Sequence, residues 1–354
     1  GDNTKSIVVD DFDGDGRLDL ATAGDTLHGV AVFLSNGNGS FTTAPPTTDV
    51  SDPWSITSAD FDGDGRIDLA TANDLSSDVR LFFGVGDGTF IGGGSIPVGS
   101  RPRAIVAADL DTDGHQDLVV ANYGGNSVTV LLGDGNGSFA VHGTYGAGSG
   151  PQSMGVGDLD ADGSLDLAVA AIATNRVSLL LGDGEGGFAT SGAWTVGQDP
   201  WSVAVADVNA DGRLDVATAN QASGDVSVLL GNGNGGLLPS PSYPVGNGCA
   251  AVVIADIDGD GRLDVAANCS GHIGILFGEP GGGLASAVST STGGDKGPMA
   301  VGDFDGQGTL DVVVAETLPY GPYGRGTVLL GVGGGSFGTS EAVLEGVDDG
   351  GHQA

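Results

Sequence analysis

Seven times along this chain, oxygen-bearing side chains recur at alternate positions around a glycine, in the pattern D-x-D-x-D-G-x-x-D with two variations. Side chains at positions 1, 3 and 5 of such a loop converge when the backbone curls, and the glycine at position 6 permits the sharp turn. A backbone carbonyl at position 7 and a carboxylate at position 9 complete an all-oxygen shell, which is the preference of Ca²⁺. The first set is Asp11, Asp13, Asp15, the Arg17 carbonyl and Asp19, and the second is Asp60, Asp62, Asp64, Arg66 and Asp68. The third is Asp109, Asp111, Asp113, His115 and Asp117, followed by Asp158, Asp160, Asp162, Ser164 and Asp166. Asp207, Asn209, Asp211, Arg213 and Asp215 come next, then Asp256, Asp258, Asp260, Arg262 and Asp264, and last Asp303, Asp305, Gln307, Thr309 and Asp311.

Four carboxylates within about 5 Å repel one another, at roughly 3 kcal/mol per pair for an effective dielectric near 20. Without a cation such a loop must splay or protonate. Seven loops in register are not chance Asp-Gly turns, and they predict up to seven calcium ions. Asn209 is a tolerable neutral oxygen, whereas Gln307 is longer and uncharged, so the weakest site is expected in the seventh unit. Position 2 is always apolar (Phe12, Phe61, Leu110, Leu159, Val208, Ile257, Phe304) and should tuck inward to pin the loop. An EF-hand is excluded, because it needs a Glu at position 12 and flanking helices. Position 12 is Thr22 in the first loop and Thr71 in the second, within strand-like sequence. The nine-residue period of other calcium-binding repeats is also absent.

The formal charge is −35, from 46 acidic and 11 basic residues. More than half of those acids sit in the loops, so the acidity is ligand rather than a halophile-like surface. A nucleic-acid partner would need a basic footprint and is not expected. No apolar run is long enough for a transmembrane helix. The chain begins almost inside its first repeat and shows no signal peptide, as a mature or trimmed chain would.

The elements that position the loops share their period. The loops start at residues 11, 60, 109, 158, 207, 256 and 303, a spacing of 49 that shortens to 47 at the end. A second marker keeps step at Phe41, Phe90, Phe139, Phe188, Leu237, Leu284 and Phe337, each after a Gly-rich turn. Seven units fill the 354 residues, so 1–354 reads as a single domain. In the third unit, 104–108, 118–121, 127–132 and 138–145 are short strand-like runs joined by the Asp loop and two Gly-rich turns. No helical period appears. Four strands per unit, radially repeated, predict an all-β, seven-bladed β-propeller with four antiparallel strands per blade. The Asp loop and the strand 3–4 turn should share one face, and the ring should close either by packing of blade 7 on blade 1 or by strand exchange between them.

The loops, with segments such as Gly137-Ser138-Phe139, Val98-Gly99…Pro102 and Val196-Gly197…Pro200, resemble FG-GAP/VCBS repeats, the units of the integrin α-subunit propeller. The resemblance covers the whole chain. It implies a seven-bladed propeller with calcium on the lower face and partner recognition on the upper face. Members include adhesion receptors, fungal lectins similar to the Psathyrella velutina lectin, and accessory domains of secreted enzymes, so the resemblance does not select a function.

On the opposite face the blades differ. The segment entering strand 1 carries Lys5, Trp54, Arg103, Gln152, Trp201, Ala250 and Met299, and both Trp residues sit in Asp-Pro-Trp-Ser. The strand 2–3 turns begin at Asn73, Asn122, Asn220 and Asn268, and the seventh carries Tyr320, Tyr323 and Arg325. Exposed aromatics can stack on sugar faces while Asn side chains bond hydroxyls. The competing reading is that the Trp residues plug the channel and Asn merely forms turns. Trp194, in a fourth strand, reads as packing. Cys249 and Cys269 flank one hairpin, so a disulfide is expected, with an oxidising, extracellular compartment. The five histidines fall in unrelated blade positions, and no nucleophile has a matched base. The reading is an extracellular, calcium-binding recognition module for a glycan, ahead of a cell-surface or matrix protein, and ahead of a carbohydrate-active enzyme.

Overall fold

The computed structural model describes residues 4–24, 29–45, 47–48, 50, 52–292, 296–316 and 325–340. Seven antiparallel sheets, each built on four consecutive strands, form the blades of a β-propeller, and in the first blade a two-residue strand, Thr47–Thr48, also pairs with the third strand. The third blade runs Pro102–Ala108, Asp117–Asn122, Ser127–Gly133 and Phe139–Gly146, within two residues of the sequence expectation. No helix among the described residues is long and apolar enough to cross a membrane.

Second strands such as Asp117–Asn122 (DLVVAN) and Asp166–Ala171 (DLAVAA) are buried at every position. Both of their faces are covered because blades stack face to face, and Ala at alternate sites lets neighbouring sheets approach. The apolar clusters therefore lie between blades. Phe61, Val79 and Leu81 of blade 2 pack on Ile105, Leu118 and Val120 of blade 3. Leu20, Ala31 and Phe33 of blade 1 pack on Phe304, Val313 and Val328 of blade 7, which closes the ring with no strand exchanged among the described residues. Trp194 lies against one such cluster with Val196 and Val205. Each large side chain buried this way contributes roughly 1.5–3 kcal/mol.

First strands touch each other in sequence around the axis. Their serines stitch neighbours together, with Ser6 Oγ accepting the Ile56 N–H at 3.3 Å and Ser202 Oγ accepting that of Val252 at 3.2 Å. In blades 1 to 5 the first strand opens with a bulge. Pro102 pairs with Asn122 and Ala104 with Ala121, which leaves Arg103 between them without a partner in the ladder. The same shift skips Lys5, Trp54, Gln152 and Trp201. A bulge re-aims a side chain, and these five are turned toward the axis.

Cys249 and Cys269 form the expected disulfide and are fully buried in blade 6. Free-thiol titration of the unfolded, non-reduced protein should find none. The variant Cys249→Ala/Cys269→Ala should lose about 3 kcal/mol of stability in urea, for a loop of this length.

Candidate cation sites and axial pocket

Each Asp loop is organised by its own carboxylates. In blade 1, Asp11 Oδ1 accepts the N–H of Gly14 at 2.8 Å, and Oδ2 accepts that of Gly16 at 2.8 Å. Asp13 accepts the Asp15 N–H at 3.2 Å, and Asp15 accepts the Arg17 N–H at 2.9 Å. Position 4 is left-handed in all seven loops. It is Gly in four of them, but Thr112, Ala161 and Ala210 hold φ of 61°, 62° and 56°. That conformation costs an L-residue about 1–2 kcal/mol, so the loop shape is imposed at the expense of local strain.

The curl brings oxygens together. Ligand atoms of Asp60, Asp62 and Asp68 lie within 4.8 Å of one another, as do those of Asp109, Asp111 and Asp117, and of Asp158, Asp160 and Asp166. In blades 1 and 6 the corresponding trios are Asp11, Asp13, Asp15 and Asp256, Asp258, Asp260. Asp109 Oδ1 is buried and has no hydrogen-bond partner among the described residues. An orphaned acceptor inside an all-oxygen donor set fits a hard divalent cation, not a soft metal. In blade 7, Gln307 turns its amide nitrogen onto Asp305 Oδ2 at 2.8 Å, so that loop presents one carboxylate fewer and a donor where the others carry an acceptor.

The position-9 carboxylates have a second task that sequence reasoning missed. They are at most 1% exposed in all seven blades. Asp166 accepts the Leu159 N–H and the Gly182 N–H, both at 2.8 Å, tying the loop to the end of the third strand. Asp19 does the same with Phe12 and Ser35 at 2.9 and 2.7 Å. The position-7 side chains were also missed: Arg17, Arg66, Arg213 and Arg262 pair with the position-5 carboxylates Asp15, Asp64, Asp211 and Asp260. These arginines are about half exposed, so each pair contributes little. The position-2 side chains are buried as expected, and the next blade's Gly-rich turn donates to the carbonyls of Phe12, Phe61 and Phe304, with Gly137 N–H on Phe61 at 2.9 Å.

Burial pushes the Asp19, Asp68 and Asp166 carboxyls from 3.8 up to about 6, opposed by their two backbone amides and reinforced by neighbouring loop aspartates. Without a cation, the folded state therefore holds protons that the unfolded chain has lost. That stabilisation is present below pH 3.8 and disappears as pH rises through about 6. A cation bound to the ionised loops reverses the sign. In EDTA the protein should melt higher at pH 5 than at pH 7.5, whereas the melting shift produced by calcium should grow over the same interval. Differential scanning fluorimetry at both pH values checks this.

The other face carries an axial pocket of about 390 Å³, and its wall includes the five bulged residues together with Ala250 and Met299. Trp54 is flanked by cations from the blades on either side. Lys5 Nζ and the Arg103 guanidinium each lie 4.0 Å from its ring centre. Arg103 also sits 3.8 Å from the Tyr123 ring centre and donates to Gln152 Oε1 at 2.9 Å. Behind them, Lys5 pairs with Asp52 at 2.6 Å, while Arg101 and Arg103 share Asp74 at 2.9 and 3.4 Å. Trp54 is thus a wedge between its own chain's cations, each contact contributing about 0.5–2 kcal/mol. Trp201 has no ring or cation over it among the described residues.

The asparagines need correction. Asn73, Asn122, Asn220 and Asn268 are at most 2% exposed, because they lie in the buried second strands, the first three as the last residue and Asn268 as the last but one, rather than beginning the turns. Asn122 Nδ2 bonds within its blade to Thr129 Oγ1 at 2.9 Å, and Asn268 Nδ2 bonds across to the next blade at the carbonyl of Gly297, which lines the axial pocket, at 2.9 Å. They cannot reach a ligand. Tyr320 and Tyr323 lie outside the described residues, and Arg325 begins the strand Arg325–Gly331. Lys296 and Gln221 also line the pocket, which nothing in their sequence position signalled.

Residues 11–71, 60–120, 109–169, 166–218, 207–267 and 258–314 each match the FG-GAP-like repeat. No curated protein matches the chain in sequence. Among solved structures it is similar to an Agrocybe aegerita lectin specific for non-reducing terminal N-acetylglucosamine, at 18% identity and TM-score 0.59, over 96% of this chain and 94% of that one. It is also similar to BBS1N in complex with ARL6DN, at 14% identity and TM-score 0.65, over 89% and 90% of the two chains. A protein from Lactobacillus plantarum aligns at 15% identity and TM-score 0.66, over 98% and 97%. At these identities the likeness shows the fold alone. By its repeats, matched over most of its length, the chain belongs to the FG-GAP-like repeat family.

Proposed function

We propose that the protein is an extracellular recognition module, stabilised by calcium in its Asp loops, that binds carbohydrate in the axial pocket on the opposite face. Residues 1–354 form one such unit. The observation that carries this reading is the pocket itself. Five blades each spend a bulge to aim a large or polar side chain at one point, and Trp201 keeps its ring available there. The volume suits a small ligand. Calcium is the fit for seven all-oxygen loops, and the buried disulfide suits an oxidising compartment. The lectin that shares the fold is consistent with a glycan ligand. No His, Asp or Glu is among the pocket's described lining residues, which favours binding over acid–base catalysis.

One feature favours a second reading, a protein partner. Leu75 is 74% exposed in the turn beside Asp74, on the same face, where a partner protein could cover it. A glycan array with and without calcium separates the two. Trp201→Ala should abolish the array signal with little change in melting temperature. Trp54→Ala should instead lower the melting temperature, since it removes the support of two cations. An array with no signal above background would leave the protein-binding reading standing alone.

A further inference from the structure

This inference rests on the glycan reading and narrows it: we infer that the axial pocket selects an acidic sugar, its carboxylate held by Arg103 and Lys5 while its ring lies on Trp201. The chain carries 46 acidic and only 11 basic residues, yet its pocket wall holds Lys5, Arg103 and Lys296 and no Asp or Glu among the described lining residues. Both lysines of the chain are on that wall. In so acidic a molecule this distribution is strongly biased.

Behind the wall, Asp52 pairs with Lys5, and one carboxylate, Asp74, is shared by Arg101 and Arg103. The Arg103 side chain is only 11% exposed. Its Nε donates to Asp74 and its Nη1 to Gln152, while Nη2 makes no hydrogen bond among the described residues. Burial holds this guanidinium below its ordinary value, with Arg101 adding to the effect, so an incoming anion relieves a desolvated cation. The Asp loops do not oppose this. The seven residues of Pro102–Ala108 separate the two faces by roughly 20 Å at 3.3–3.4 Å per residue. That exceeds the Debye length of about 8 Å at physiological salt.

Shape and the remaining lining decide between an acidic sugar and an acidic peptide. The cavity of about 390 Å³ takes a compact ring rather than an extended chain. Gln221 and the pocket serines offer partners for hydroxyls, and Trp201 offers the flat apolar surface that a pyranose covers. Trp54 cannot take that part, since Lys5 and Arg103 flank it.

The test is a calcium-containing array of glycans ending in glucuronate, galacturonate or sialate, with their neutral and sulfated counterparts and an oligoglutamate peptide. Titration calorimetry of the best ligand at low and high salt follows. The carboxylated sugar is expected to bind about tenfold or more tightly than its neutral counterpart, with the preference shrinking in high salt. Arg103→Gln should abolish the preference for the acidic sugar over its neutral counterpart, and Arg103→Lys should restore part of it. The lysine variant keeps the test valid if the glutamine variant melts lower. Trp201→Ala should weaken acidic and neutral sugars alike, and Arg176→Gln, outside the pocket, should change neither. Equal affinity for acidic and neutral sugars overturns the inference while the glycan reading stands. Binding only of sulfated sugars overturns the carboxylate assignment. Binding only of oligoglutamate, or of nothing, overturns both readings.

Discussion

Addition of EDTA to the calcium-loaded protein is expected to lower its melting temperature by about 10 °C or more. A ligand that binds only the native state stabilises by about 2.7 kcal/mol per site at one hundred times its dissociation constant. Seven loops present carboxylate sets of this kind, so even partial occupancy sums to a large effect, at about 2 °C for each kcal/mol in a chain of this size. Two features of the loops raise the stakes. Their carboxylates crowd within 4.8 Å, and in three loops a non-glycine residue is held left-handed. Removing the cation leaves repulsion and strain with nothing to offset them. Superimposable melting curves with calcium and with EDTA would sink the proposal that these loops hold structural calcium.

The second large effect separates the two jobs of the loop aspartates. Asp166→Ala should cost about 3–5 kcal/mol in urea unfolding, with or without calcium, because the Leu159 and Gly182 amides lose their only acceptor at a site with no solvent access. Asp160→Asn, at position 3 of the same loop, should cost little in EDTA, where it relieves repulsion, and should destabilise only when calcium is present. Equal losses for the two variants under both conditions would mean that position 9 is a ligand and nothing more.

The fold and the lower face were legible because their signals are local and repeated. The alternation of Asp around Gly, its recurrence from Asp11 to Asp303, and the short Val/Leu/Ala runs between loops specify strand, turn and loop within each blade. Repetition removes ambiguity, since an error in one unit is corrected by the other six. The hairpin that joins Cys249 to Cys269 was legible for the same reason: its two ends are neighbours in any antiparallel pair.

The upper face was legible only in outline. Residues 5, 54, 103, 152 and 201 stood out by position, but their convergence depends on five bulges that no residue type announces. The asparagines misled because Asn ends a buried strand and begins a turn with the same spacing, and only blade-on-blade burial decides between them. The position-9 aspartates read as ligands alone, because the amides they cap belong to a third strand about 16 residues away. What the sequence by itself determined is therefore everything periodic: seven blades, seven acidic loops and the face that carries them. Only the tertiary structure decided which Trp is wedged between cations and which is available, since that depends on side chains from different blades meeting at the axis, and no spacing along the chain encodes a meeting across the ring.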